Sequence, residues 1–160
     1  MKNLITRSVT GILYLVVFIG ALLLGKYTFG SLFLIITLLC LFEFYRMIKL
    51  MGYSPQVYPG IITGGILFSL AFLYRSFNLP VTVLSAAIPF LIFIIVFELY
   101  RKHKNPVANI AFTFMGNIYI VIPLALFNYF AFYEGNSYSY RIILGFFTLL
   151  WINDIYCTKN

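Results

Sequence analysis

Charge is scarce in this sequence. Asp and Glu together number 4 and Lys and Arg 11, so charged residues make up 9% of the 160, where an average soluble domain carries roughly 25%. That is too little charge to cover a water-facing surface, which excludes a soluble globule and a disordered tail. Cysteine is equally sparse. Cys40 falls inside an apolar run and Cys157 near the end. A disulfide-stapled secreted domain needs more, and neither thiol has a Cys or His at metal-ligand spacing. Both read as structural. The single histidine, His103, sits in Arg101-Lys102-His103-Lys104. With no second ligand near, it reads as part of a solvated basic face; the alternative is a run that attracts lipid headgroups or a nucleotide phosphate. A phosphate-cradling glycine loop, a nucleophile elbow and a zinc motif are all missing.

What fills the chain is apolar. Hydrophobic residues make up 62% and aromatics 20%, and the mean hydropathy is +0.99. The remaining class is an integral membrane protein. The net charge of +7 comes from basic residues scattered in ones, twos and threes between apolar runs. Lysine and arginine sit that way at membrane boundaries. Nucleic acid is not an expected partner, because no segment supplies a dense basic patch.

Six candidate spanning helices follow, at about residues 9–24, 31–48, 60–74, 79–100, 107–130 and 141–156, where a span needs roughly 17–25 apolar residues. The third is short and glycine-rich. The first is preceded by Lys2 and Arg7, but no small-x-small cleavage site follows it, so it reads as a retained helix. Gly52-Tyr53-Ser54-Pro55, Pro59-Gly60, Asn78-Leu79-Pro80, Asn105-Pro106 and Glu134-Gly135-Asn136-Ser137 supply the turns. The expected fold is an all-α polytopic transmembrane bundle, with residues 1–160 as one membrane domain.

Orientation follows from counting cations. With the N-terminus in the cytoplasm, that side holds Lys2, Arg7, Arg46, Lys49, Arg101, Lys102, Lys104 and Lys159, and the other holds Lys26, Arg75 and Arg141. This is a positive-inside bias. Six crossings return the C-terminus to the cytoplasm. The third segment decides the result, since a re-entrant hairpin there would flip everything after it.

Ionisable groups at membrane depth cost roughly 2.5–3.5 kcal/mol each on insertion scales. Glu43 has Arg46 at i+3, and Glu98 has Arg101 at i+3 and Lys102 at i+4. Each reads as a local ion pair closing a span, or as support for a cytoplasmic site. Asp154 has no basic residue within the four preceding positions. It is either a helix-end carboxylate in headgroup water or a ligand for Mg²⁺, which prefers carboxylate oxygen. Asn109, Thr113 and Asn117 recur at i, i+4 and i+8 beside Gly116. They form a hydrogen-bonding stripe suited to helix contact, with a lining for a polar substrate as the alternative. Gly60, Gly64 and Gly65 mark close packing of the third helix.

Several patches together resemble one family. Leu41-Phe42-Glu43-Phe44-Tyr45-Arg46 resembles the Glu-Phe-Tyr-Arg stretch of bacterial phosphatidate cytidylyltransferases (CDP-diacylglycerol synthases). Thr6-Arg7-Ser8-Val9-Thr10-Gly11-Ile12 is similar to their start. Phe114-Met115-Gly116-Asn117-Ile118-Tyr119, followed by Pro123-Leu124, looks like their mid-chain helix. Leu149-Leu150-Trp151-Ile152-Asn153-Asp154 looks like the approach to their cytoplasmic Asp. The resemblance implies that CTP and phosphatidate give CDP-diacylglycerol and pyrophosphate at a multi-pass protein of the inner (plasma) membrane. It implies Mg²⁺ as cofactor, with Asp154 as its ligand. Asn117, Glu43 and Glu98 are candidate supporting residues, and no catalytic residue is assigned.

In the family, the Asp is followed by a small-residue turn, an aromatic, a Gly-rich stretch and a Ser-Pro-Lys-Lys motif. A later signature carries further Asp, Lys and His-Gly-Gly residues. Here Ile155-Tyr156-Cys157-Thr158-Lys159-Asn160 follows. The expectation is an N-terminal portion, truncated or read out of frame after Asp154 and inactive alone. The alternative is a small non-enzymatic polytopic protein that binds lipid or partner helices, or forms a homo-oligomer. The nucleotides after the Asp154 codon separate the two.

Overall fold

The computed structural model describes residues 16–102, 104–133 and 137–157, the last four of these by backbone alone. All regular structure among the described residues is helical. A chain this apolar has no water to satisfy its backbone, and helices pair every inner N–H and C=O within one segment.

Helix α1 is described over residues 16–23. It turns at Gly25, whose φ of 126° is open to glycine alone. Helix α2, Lys26–Leu50, starts five residues before the expected 31. Thr28 Oγ1 donates to the carbonyls of Gly25 at 2.8 Å and Ala21 at 2.9 Å, tying the turn to the helix start. The Lys26 ammonium lies 4.8 Å from the Phe77 ring centroid, so its charge does not force a loop.

Helix α3, Val57–Ser76, has 20 residues where the short segment 60–74 was expected. Pro59 lies in its first turn, where the missing N–H would have had no helical partner. At roughly 30 Å the helix is long enough to span the bilayer. It is one continuous rod and not the two short arms of a re-entrant hairpin.

The expected single helix at 79–100 is divided. A 3₁₀ segment, Val81–Ala87, leads into α4, Ile88–Arg101. Pro89 has no N–H to return to Ser85 four residues back. The Ser85 carbonyl instead accepts from Ile88.

The fifth expected helix is a continuous run of three parts: α5, Pro106–Gly116; a π-helical segment, Asn117–Val121; and α6, Ile122–Ala131. The wide π turn lies just ahead of Pro123, whose ring would collide with the Tyr119 carbonyl in a regular helix. Helix α7 runs from Arg141 to Cys157, one residue beyond the expectation.

Among the described residues, four helices are long and apolar enough to cross a membrane: α2, α3, the 3₁₀–α4 run and the α5–α6 run. Helix α7 has 17 residues, and the expected first span lies partly outside the described residues. The described helices alternate in direction. Arg75 Nη2 donates to the Phe132 carbonyl at 2.7 Å, joining the ends of α3 and α6. Tyr138 Oη donates to the Leu22 carbonyl at 2.8 Å, joining the start of α7 to the end of α1. At the opposite end Arg101 Nη1 reaches the Ser54 carbonyl at 3.2 Å. Arg46, Lys49, Arg101, Lys102 and Lys104 thus gather at this basic end, with Lys26, Arg75 and Arg141 at the other, as the charge count required.

An aromatic core fills the bundle between α1, α2, α6 and α7. Phe29 and Phe33 are buried, and Phe127 stacks on Phe147 at 5.7 Å between centroids. Burial pushes the Tyr138 hydroxyl up to about 12. Nearer the basic end, Tyr45 fills the gap between α2, α3 and α5. A Cβ on Gly60 would lie 2.5 Å from its Oη, and one on Gly116 2.8 Å. The expected tight glycine packing is present at Gly60, and at Gly64, which faces Leu41 and Asn117.

Candidate functional site

The polar residues converge at the basic end. Helix α4 stops at Lys102 and α5 starts after Asn105, both in the left-handed region at φ 49° and 60°. This tight reversal sets Asn109, one turn into α5, against Glu98, one turn before the end of α4. Glu98 is buried, its side chain 0% exposed. Its Oε1 accepts from Asn109 Nδ2 at 2.8 Å. Its Oε2 accepts from Gln56 Nε2 at 2.8 Å and Arg101 Nη1 at 2.9 Å.

The loop before α3 is tied into the same cluster. Ser54 N–H donates to Asn109 Oδ1 at 3.0 Å, and Gln56 N–H donates to Thr113 Oγ1 at 3.0 Å. Thr113 Oγ1 in turn donates to the Asn109 carbonyl at 2.7 Å. From α2, Tyr45 Oη donates to the Thr113 carbonyl at 2.9 Å. A buried carboxylate is tolerated when paired and hydrogen-bonded in this way. With both oxygens engaged, Glu98 is a clasp between α3, α4 and α5 rather than a free base.

Beside this clasp, a cleft of about 890 Å³ opens between the start of α3 and α4. Phe90, Phe93 and Phe97 form its α4 wall, and Lys49, Gln56 and Arg101 line it at the basic end. The Gln56 amide orientation is fixed, because Nε2 donates to the Ile94 carbonyl as well as to Glu98. Its Oε1 is buried with no hydrogen-bond partner among the described residues.

Of the residues singled out from sequence, Glu98, Asn109 and Thr113 meet in this cluster, and the Glu98–Arg101 pair is present. Glu43 is exposed and makes no ion pair with Arg46 among the described residues, which corrects that expectation. Asn117 sits deeper, in the π turn, buried with neither amide atom hydrogen-bonded among the described residues. Asp154 falls in the last turn of α7, which runs toward the basic end; its side chain lies outside the described residues, as do His103 and the side chain of Cys157. Cys40 is exposed on α2.

Gln56 escaped the sequence reading. A lone glutamine between two turn prolines looks like loop solvent exposure, and its signal was only that an apolar chain has few such amides.

No group of three or more His, Cys, Asp or Glu side chains comes together among the described residues. Glu98 does not fit Mg²⁺ either, because its oxygens are taken by three donors and one of these is a cation. Glu98 is thus not available to a metal ion, and the side chain of Asp154, the expected ligand, lies outside the described residues.

No curated protein and no solved structure matches the chain. The profile of the cytidylyltransferase family matches residues 5–157. The match spans every helix described above, together with the polar cluster and the cleft. This helical membrane protein belongs to the cytidylyltransferase family, the family of phosphatidate cytidylyltransferases.

Proposed function

We propose that the chain works in transferring the cytidylyl group of CTP to phosphatidate, giving CDP-diacylglycerol and pyrophosphate for phospholipid synthesis. The observation that carries this reading is the family match over residues 5–157. In the reaction, a phosphate oxygen of phosphatidate bonds to the α-phosphorus of CTP. The bond from that phosphorus to the bridging oxygen of the β-phosphate breaks, and pyrophosphate leaves with the electron pair.

The reaction joins a water-soluble triphosphate to a membrane lipid, so it belongs at one bilayer face. The basic end is suited to it: five cations among the described residues favour both phosphate groups there. We assign this end to the cytoplasmic face of the inner membrane by its excess of cations. The Glu98 clasp is the positioning element, holding the ends of α3, α4 and α5 in one register. By the resemblance, Asp154 is the one matched site residue, and we assign it to Mg²⁺.

The test uses membranes carrying this chain, labelled CTP, phosphatidate and Mg²⁺. Together with the C-terminal catalytic segment of an active family member, the chain is expected to support conversion, and Asp154→Asn in this chain to abolish it. No conversion in the combined membranes, beside an active intact family member, would overturn the reading.

A further inference from the structure

Glu43 and Arg46 share the outward face of α2. Leu39, Glu43, Arg46 and Leu50 fall at i, i+4, i+7 and i+11, so they form one stripe along the helix. All four are exposed, Leu39 by 62% and Leu50 by 83%. The rest of the bundle packs on the other side of α2, where Leu41, Tyr45 and Ile48 are buried. Neither charged residue has an ion-pair partner among the described residues.

Glu43 lies seven residues before Leu50, ~10 Å below the basic end of the helix. A carboxylate facing lipid at that depth is costly and calls for a cation beside it. The surrounding acyl chains offer none. Arg46, one turn nearer the membrane surface, lacks an anion in the same way.

A second copy supplies both partners. Every copy is inserted with its basic end on the same side, so two α2 helices meet in parallel, with equal residues at equal depth. Around a two-fold axis along the membrane normal, residue i meets j and j meets i. Glu43 of each copy then faces Arg46 of the other, and Leu39 and Leu50 close the contact on either side. The 4-3-4 spacing of the stripe is the seam of a left-handed parallel pair, in which charged seam residues set the register. A foreign helix would need a base and an acid at these same depths, whereas a second copy has them by symmetry.

We propose that this chain self-associates as a parallel homodimer through the outward stripe of α2, held by reciprocal Glu43–Arg46 ion pairs. The proposal rests on the membrane location of the helices and not on the cytidylyl transfer. Its readout is cross-linking, so it stands or falls separately from that reading.

The experiment uses the full chain in membranes, with Cys40→Ser and Cys157→Ser removing the native thiols. Leu39→Cys lies in the contact. Ile118→Cys lies at similar depth on the exposed side of the α5–α6 run. Mild oxidation is expected to give a disulfide-linked dimer from Leu39→Cys and monomer from Ile118→Cys. Added to Leu39→Cys, either Glu43→Arg or Arg46→Glu sets like charges across the contact and is expected to cut the dimer about tenfold. Glu43→Gln, which adds no repulsion, is expected to cut it less. Co-expressing the Glu43→Arg and Arg46→Glu chains under different tags is expected to restore linkage as a mixed dimer, because one stripe then carries two cations and the other two anions. That recovery also shows that both variants insert and fold. No dimer at position 39, equal linkage at position 118, linkage to a different protein in place of a second copy, indifference to the charge variants, or mixed chains pairing no better than each alone would each overturn the proposal.

Discussion

The Tyr45 hydroxyl donates to the Thr113 carbonyl at 2.9 Å across the contact between α2 and α5, and the same ring occupies the space left by Gly60 and Gly116. One side chain thus fixes three helices. Gly60→Ala and Gly116→Ala place a methyl against that ring and should each destabilise the bundle by about 1–3 kcal/mol through overpacking. Tyr45→Phe keeps the packing and loses one hydrogen bond, at about 0.5–1.5 kcal/mol. Unfolding in mixed micelles with increasing denaturing detergent measures the order, and a larger loss for Tyr45→Phe than for Gly60→Ala would contradict it.

The Glu98 clasp makes the second prediction. Glu98→Ala leaves Arg101 without its carboxylate and Asn109 Nδ2 without its short bond, for an expected loss of about 3–5 kcal/mol. Glu98→Gln retains an acceptor and should lose less. Proteolysis in the loop at 51–56 is the local measurement, because that loop is tied down through Ser54 and Gln56. Equal proteolysis rates in both variants and the parent would remove the clasp from the account.

Tyr138 sets a pH dependence at the opposite end. Its hydroxyl is held up to about 12 by burial, against an ordinary 10.0. The folded state therefore prefers the neutral phenol. Its contribution to stability is complete below pH 10 and declines as the pH rises from there through about 12. Tyr138→Phe should flatten this alkaline slope while lowering stability near neutrality by roughly 1 kcal/mol, from the lost bond to Leu22. An unchanged slope in the variant would show that another group dominates.

Topology is testable through single cysteines in a Cys40→Ser/Cys157→Ser background. Asn78→Cys lies in the loop between α3 and the 3₁₀ segment, and Lys102→Cys lies at the end of α4. In intact cells whose outer membrane is permeabilised, a membrane-impermeant thiol reagent should label position 78 and leave position 102 unlabelled until the inner membrane is opened. The reverse pattern would place the basic end outside.

Much of this architecture was legible in the sequence because lipid imposes a simple rule. Long apolar runs with cations at alternate ends mark the helices and their alternation, and the Asn109–Thr113 spacing marks a buried polar face. The subtler errors have local causes. Lys26 looked like a boundary but rests its charge on Phe77. Pro59 looked like a breaker but falls in a first turn. Pro89 and Pro123 each altered the turn ahead of them without ending the rod. The cluster itself was half visible. The i+3 spacing predicted the Glu98–Arg101 pair, but the same spacing at Glu43–Arg46 gave none. What distinguishes the two is tertiary: Glu98 faces Asn109 and Gln56 from other segments, and Glu43 faces outward. Gln56 depends wholly on that long-range approach and has no periodicity to betray it.

The widened turn at Asn117–Val121 makes the second half of the long α5–α6 rod sensitive to residue number rather than residue identity. Excising a single codon there would restore an ordinary helix and swing Phe127, Asn128 and Ala131 by about 100° around the axis. Phe127 would leave its stack on Phe147, and the Asn128 amide would turn toward hydrocarbon. Elsewhere in the molecule a lost or gained residue near a helix tip can be taken up in headgroup water, but this stretch has fixed length.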